Sequence, residues 1–220
     1  MKNFLLKKIV FISLLLSTSF IIEFIFNKFI LNVDCCYSFI KLELLPLILI
    51  GFLFGFKFSF FSNLLYILIH VIIEFSISAQ KHGLFFDAKN NYKFLIGILM
   101  FIFILPYLAC SISGLSLNLE KKYFIQKKNF ILIFIIISII QIISYFLFYL
   151  FFYNNLSSNF YNFINNFYNF FHIKQNYYNP IILFLIYYLI SISLTNIIIG
   201  FILYYFLKYI YQENKDFLIK

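Results

Sequence analysis

The stretch from Ile40 to Asn63, IKLELLPLILIGFLFGFKFSFFSN, sets two long apolar runs end to end with a single charge, Lys57, between them. A water-soluble domain has no layer architecture that buries both. In a bilayer the stretch is a helical hairpin with a very tight turn: Gly55 supplies the backbone freedom and Lys57 marks the water side. The polar approach through Lys41 and Glu43 to Pro46 then belongs to the opposite, outer rim.

Only 11% of the 220 residues are charged and 64% are hydrophobic, where a soluble domain carries about 25% charged residues. At about 20 residues per span the length accommodates about six helices and leaves no room for a soluble catalytic domain. The expectation is an all-α membrane protein of one domain over residues 1–220, multi-pass and residing in the cell membrane. The net charge of +9 comes from lysine alone, with no arginine. Nucleic-acid recognition favours arginine forks on a soluble face, so no nucleic-acid partner is expected. The lysines sit between apolar runs, where they set topology.

The apolar runs place the spans. Met1–Leu31 opens on Lys2, Lys7 and Lys8 and stays apolar beyond the length of a signal-peptide core, which predicts an uncleaved first span. The hairpin supplies Leu42–Phe56 and Phe58–Ala79. Phe94–Leu117 follows a polar loop and carries Pro106, a predicted kink. Phe130–Tyr153 and Pro180–Leu207 complete the set, with Pro180 suited to open a helix. Between them Asn154–Asn179 alternates asparagine with aromatics, a pattern that fits an interfacial helix or cap on the membrane surface. Lysine bias puts both termini on the cytoplasmic side.

No HExxH, GxSxG or phosphate-binding GxxxxGK occurs, so neither enzymatic activity nor ATP hydrolysis by this chain is expected, and no cofactor is called for. Cys35, Cys36 and Cys110 have neither metal-site nor disulfide-framework spacing. The costly residues at membrane depth are Glu23, His70 and Glu74. His70 and Glu74 lie four apart on one helix face. They read as the floor of an outward-facing pocket, as a proton relay, or as groups that satisfy each other while Glu23 snorkels or pairs with Lys28. Ser13 and Ser17 make a small-xxx-small face on the first span, and Gly51 and Gly55 another, of the kind that lets helices approach closely.

Three stretches together resemble the substrate-binding (S) component of energy-coupling factor (ECF) transporters. IKLELLP with LILIGFLFGFKFSFFSNLL is similar to the family's approach and Gly-rich hairpin turn. KNNYKFLIGILMFIFILPYLACSIS is similar to its fourth span, and SLTNIIIGFILYYFLKYI to the closing helix of riboflavin-type members. The resemblance implies a six-helix subunit that captures a vitamin-like small molecule at its outer face. Its partners would be a transmembrane coupling protein bearing two ABC ATPases, docked through Ser13 and Ser17. Asn196 matches the family's pocket asparagine, and Lys41, Glu43 and Tyr66 fall at its pocket positions, with His70 and Glu74 nearby. Two lysines of riboflavin-type members correspond here to Tyr66 and Ile199, and Glu43 stands one residue nearer Pro46 than the usual acid.

Overall fold

A computed structural model describes residues 2–25, 40–80, 92–117, 127–152 and 180–213. The described residues are helical almost throughout, with no strand among them. The helices are α1 (Lys2–Ile25), α2 (Leu44–Phe54), α3 (Phe56–Gln80), a composite α4 over residues 92–117, α5 (Lys127–Phe152) and α6 (Pro180–Glu213). Five contain stretches long and apolar enough to cross a bilayer, and α2 is a shorter apolar helix. The chain is therefore a multi-pass, all-α membrane protein with about six helices. The expected surface segment Asn154–Asn179, Cys35, Cys36, Lys28 and the end of the first span beyond Ile25 lie outside the described residues.

The hairpin turn forms as its sequence dictates. Gly55 sits at φ 88°, a region that L side chains rarely adopt, and its amide donates to the Gly51 carbonyl at 3.0 Å. Phe56 begins α3 at once, leaving Lys57 exposed.

α2 departs from a full span. Eleven residues rise only about 16 Å, roughly half the hydrocarbon thickness. It is apolar all round because protein surrounds it: Leu47, Ile48, Ile50 and Phe52 are fully buried. It packs most heavily on the last part of α4. There Gly51 lies against Ser113, and Gly114 against the backbone of Gly55 and Phe56. The glycines at 51 and 55 thus serve an intramolecular close approach and a turn.

α4 answers Pro106 with more than a kink. An α-helical turn (Tyr92–Gly97) loosens into a π-helix (Ile98–Ile104), returns to α (Leu105–Ala109) and tightens to a 3₁₀ stretch (Cys110–Leu117). Proline has no N–H to donate and crowds the carbonyl four residues back, so the ladder must rewind around it. Carbonyls along this rewound stretch accept from neighbouring helices. Ser144 Oγ donates to Phe101 O, Gln141 Nε2 to Pro106 O at 3.3 Å, and Asn63 Nδ2 to Tyr107 O at 3.2 Å. Side chains from neighbouring helices are how a broken helix is tolerated in lipid.

Candidate functional site

The turn before α2 carries Lys41 and Glu43 inward rather than to a rim. Leu44 N donates to Lys41 O and Leu45 N to Leu42 O, closing residues 41–45. Because α2 is half a span long, its start lies at membrane depth. Glu43 O accepts from Ser19 Oγ at 2.6 Å, well within α1, and Lys41 N donates to Thr195 Oγ1 at 3.3 Å, midway along α6. Glu43 is 3% exposed. Its Oε1 accepts from Tyr107 OH at a long 3.4 Å.

Lys41 Nζ donates to Tyr145 OH at 2.9 Å and stands 5.7 Å from the Tyr107 ring centroid and 5.5 Å from that of Tyr145. Cation–π contact and a phenol acceptor substitute for hydration of the ammonium. Lys41, Tyr107, Gln141, Tyr145, Ser191 and Thr195 line a small, partly open space of about 20 Å³, completed by Leu44, Pro106, Tyr188 and Ile192. Tyr188 stacks on Tyr145 at 4.5 Å and 20°. The space admits about one water, whereas drug-sized solutes occupy roughly 300–1,000 Å³. A solute of that size would enter only if these walls parted.

Gln141 ties this space to Asn196. Asn196 Nδ2 donates to Gln141 Oε1 at 2.9 Å and to Ser138 Oγ at 2.8 Å, while Gln141 Nε2 holds Pro106 O. Asn196 itself borders a groove of about 610 Å³ between α5 and α6, together with Ser138, Gly200 and Phe134. Ile199 is fully buried.

A second cluster lies across Tyr107. Tyr66 OH donates to Glu23 Oε2 at 2.8 Å, and His70 Nδ1 stands 3.1 Å from the same oxygen. Glu74 is buried, and one donor atom from each of Glu23, His70 and Glu74 comes within 4.8 Å of the others. Glu23 therefore turns inward to α3 instead of snorkelling. The His70 ring is walled by Tyr66, Phe103 and Tyr107 at centroid distances of 5.5, 5.1 and 5.6 Å. Of the expected site residues, Tyr66, His70 and Glu74 gather here, Lys41 and Glu43 gather around Tyr107, and Asn196 connects through Gln141.

Ser13 and Ser17 are exposed, and each hydroxyl donates to a carbonyl of its own helix, Val10 O at 2.8 Å and Ser13 O at 2.9 Å. They leave a small-residue face on the outside of α1. Sequence reasoning passed over Tyr107, Gln141, Tyr145 and Thr195. Gln141 had a readable signal, being the one amide within the apolar run from Phe130 to Phe152. The tyrosines had none in a chain with 18 of them.

Comparison of the chain with protein-family models, with curated proteins and with solved structures returned no significant match.

Replacing Lys41 by methionine keeps the stem's packing and removes the charge. Were the chain to capture an anionic or polar solute at this space, its retention by the purified protein would fall about tenfold, roughly 1.4 kcal/mol. Equilibrium binding of the solute identified by mass spectrometry checks this, and unchanged affinity would remove Lys41 from the site.

Proposed function

We propose that the chain is the solute-capturing membrane subunit of an ECF-type importer in the cell membrane. It binds a vitamin-like small molecule and passes it inward when an ATPase module turns the subunit over. The observation that carries the reading is the Lys41 ammonium held between Tyr107 and Tyr145 at membrane depth, with the Lys41 backbone amide anchored on Thr195 of α6. Helix packing alone has no need of an ammonium there, and intramembrane charges mark solute and ion pathways. An amphipathic solute would meet Lys41 and Gln141 with its polar end and the Tyr145–Tyr188 pair with its planar part. The outward-facing small residues Ser13 and Ser17 supply the docking face for a coupling protein.

The test is co-purification of the tagged chain with a transmembrane coupling protein and two ATPases, with mass spectrometry of the solute that accompanies it. Ser13→Phe with Ser17→Phe is expected to reduce recovery of the partners at least tenfold while the chain still elutes as a folded species. A monodisperse chain that never associates with such partners overturns the reading.

A second reading is supported by the His70–Glu23 contact of 3.1 Å: a proton-linked carrier using Glu23, His70 and Glu74. Uptake that Glu74→Gln abolishes and ATP depletion leaves untouched would favour it over the first.

A further inference from the structure

The cluster at the α1–α3 contact brings one imidazole and two carboxylates together from two helices. His70 and Glu74 project from successive turns of α3, and Glu23 meets them from α1. This is how helix bundles build metal centres, from inward side chains on facing helices. One imidazole nitrogen and two carboxylate oxygens are within 4.8 Å of one another. Ligands around one tetrahedral first-row ion, at about 2.1 Å from it, lie roughly 3.4 Å apart. His70 Nδ1 and Glu23 Oε2, at 3.1 Å, already have about that separation. The three donor atoms, within 4.8 Å of one another, would draw together by up to about 1.4 Å around such an ion.

We propose that Glu23, His70 and Glu74 bind a first-row divalent cation of the zinc class.

The ligand set favours a dication. Glu23 and Glu74 offer it two carboxylate ligands from two helices, beside one imidazole nitrogen. The mixed nitrogen and oxygen set suits zinc-class ions, whereas calcium and magnesium prefer all-oxygen shells with more ligands. The surroundings supply what such a centre needs beyond its ligands. Tyr66 OH donates to Glu23 Oε2 at 2.8 Å and orients that carboxylate, and Phe103 and Tyr107 hold the imidazole plane. None of the three ligands lines the small space around Lys41. The proposal therefore stands apart from the solute-capture reading, and its failure leaves that reading intact.

Cobalt(II) serves as the probe, since its visible spectrum reports coordination directly. The full chain, purified in detergent and stripped with a chelator, is expected to take up about one equivalent with the intense visible bands of a four-coordinate nitrogen–oxygen site, displaced by zinc. Glu23→Gln and Glu74→Gln should each weaken binding at least tenfold, and Tyr66→Phe about tenfold. The double variant His82→Ala/His172→Ala removes the other two histidines of the chain and should retain the full spectrum. If Glu74→Gln does not elute as folded protein, His70→Cys carries the same test, because a thiolate ligand adds a near-ultraviolet charge-transfer band. The proposal is overturned by the absence of a cobalt spectrum, by its loss in the His82/His172 variant, by indifference to both glutamate substitutions, or by a folded His70→Cys protein that lacks the band.

Discussion

Gly114→Val is expected to abolish recovery of the protein as a monodisperse species from detergent, while Gly200→Ala leaves the elution profile and thermal midpoint as they are. A Cβ at residue 114 would overlap the carbonyl carbon of Gly55 and the backbone nitrogen and Cα of Phe56. Those atoms form the hairpin turn, and Gly55 is held at φ 88° with its amide on Gly51 O. No rotamer change relieves a clash with backbone. Overpacking a core costs about 1–3 kcal/mol where side chains can yield. Here the whole contact between α2 and the 3₁₀ part of α4 would have to separate, exposing Gly51, Ser113 and the Ile48 carbonyl that Ser113 Oγ reaches at 2.9 Å. At Gly200 an added Cβ would sit 3.7 Å from the Phe134 ring, an ordinary contact. Size-exclusion chromatography of the two variants side by side checks the contrast. A Gly114→Val protein that elutes and melts like the parent would remove the α2–α4 approach from the account.

The fold was largely legible because lipid leaves few choices for a backbone. Among the described residues apolar runs placed most helix ends to within about three residues, the turn at Gly55 included; Pro180 does open α6, which runs past the expected Leu207 to Glu213. Depth was not legible. The run Leu42–Phe56 reads as a span of its own, and only the packing of α2 against α1, α3 and α4 reveals a buried half-length helix that draws Glu43 inside. Facing was not legible either. Ile197 is 71% exposed and Ile199 is fully buried, yet both belong to the same run of isoleucines. In lipid the outside of a bundle is as apolar as its inside, so periodicity loses the contrast that it has in water.

The site divides the same way. Glu23, His70 and Glu74 stood out because each is costly at depth, and they read together as a pocket floor or a relay. The contact of His70 with Glu23 was not legible, since the i,i+4 rule joins His70 to Glu74 and is silent about Glu23 on another helix. Lys41 and Glu43 stood out as charges beside an apolar run, but were placed on a rim that a half-length α2 does not give them. Tyr107 connects both clusters through a ring contact with His70 and a hydroxyl on Glu43. One tyrosine in an aromatic chain carries no mark of such a place.

Gln141→Leu is expected to lower stability by about 1–3 kcal/mol, the range for stranding buried polar partners. Gln141 is 3% exposed and holds two helices at once. Its Nε2 donates to the Pro106 carbonyl at 3.3 Å, and its Oε1 accepts from Asn196 Nδ2 at 2.9 Å. Leucine fills nearly the same volume, so little of the loss comes from a cavity. The loss comes instead from the Pro106 carbonyl, which sits where the helix has already rewound, and from half of the Asn196 amide's donor capacity. Asn196 keeps Ser138 Oγ at 2.8 Å, so Asn196→Ala alone should cost less than Gln141→Leu. Bonds between helices in lipid average about 0.6 kcal/mol by double-mutant cycles, with a maximum of about 1.7. The Gln141–Asn196 coupling should fall within that span, and the double variant should be less destabilised than the two single losses summed. Reversible unfolding in mixed micelles measures all four corners of the cycle. Additivity to within about 0.3 kcal/mol would mean that the two amides do not act together, and Asn196 would then lose its route to the space around Lys41.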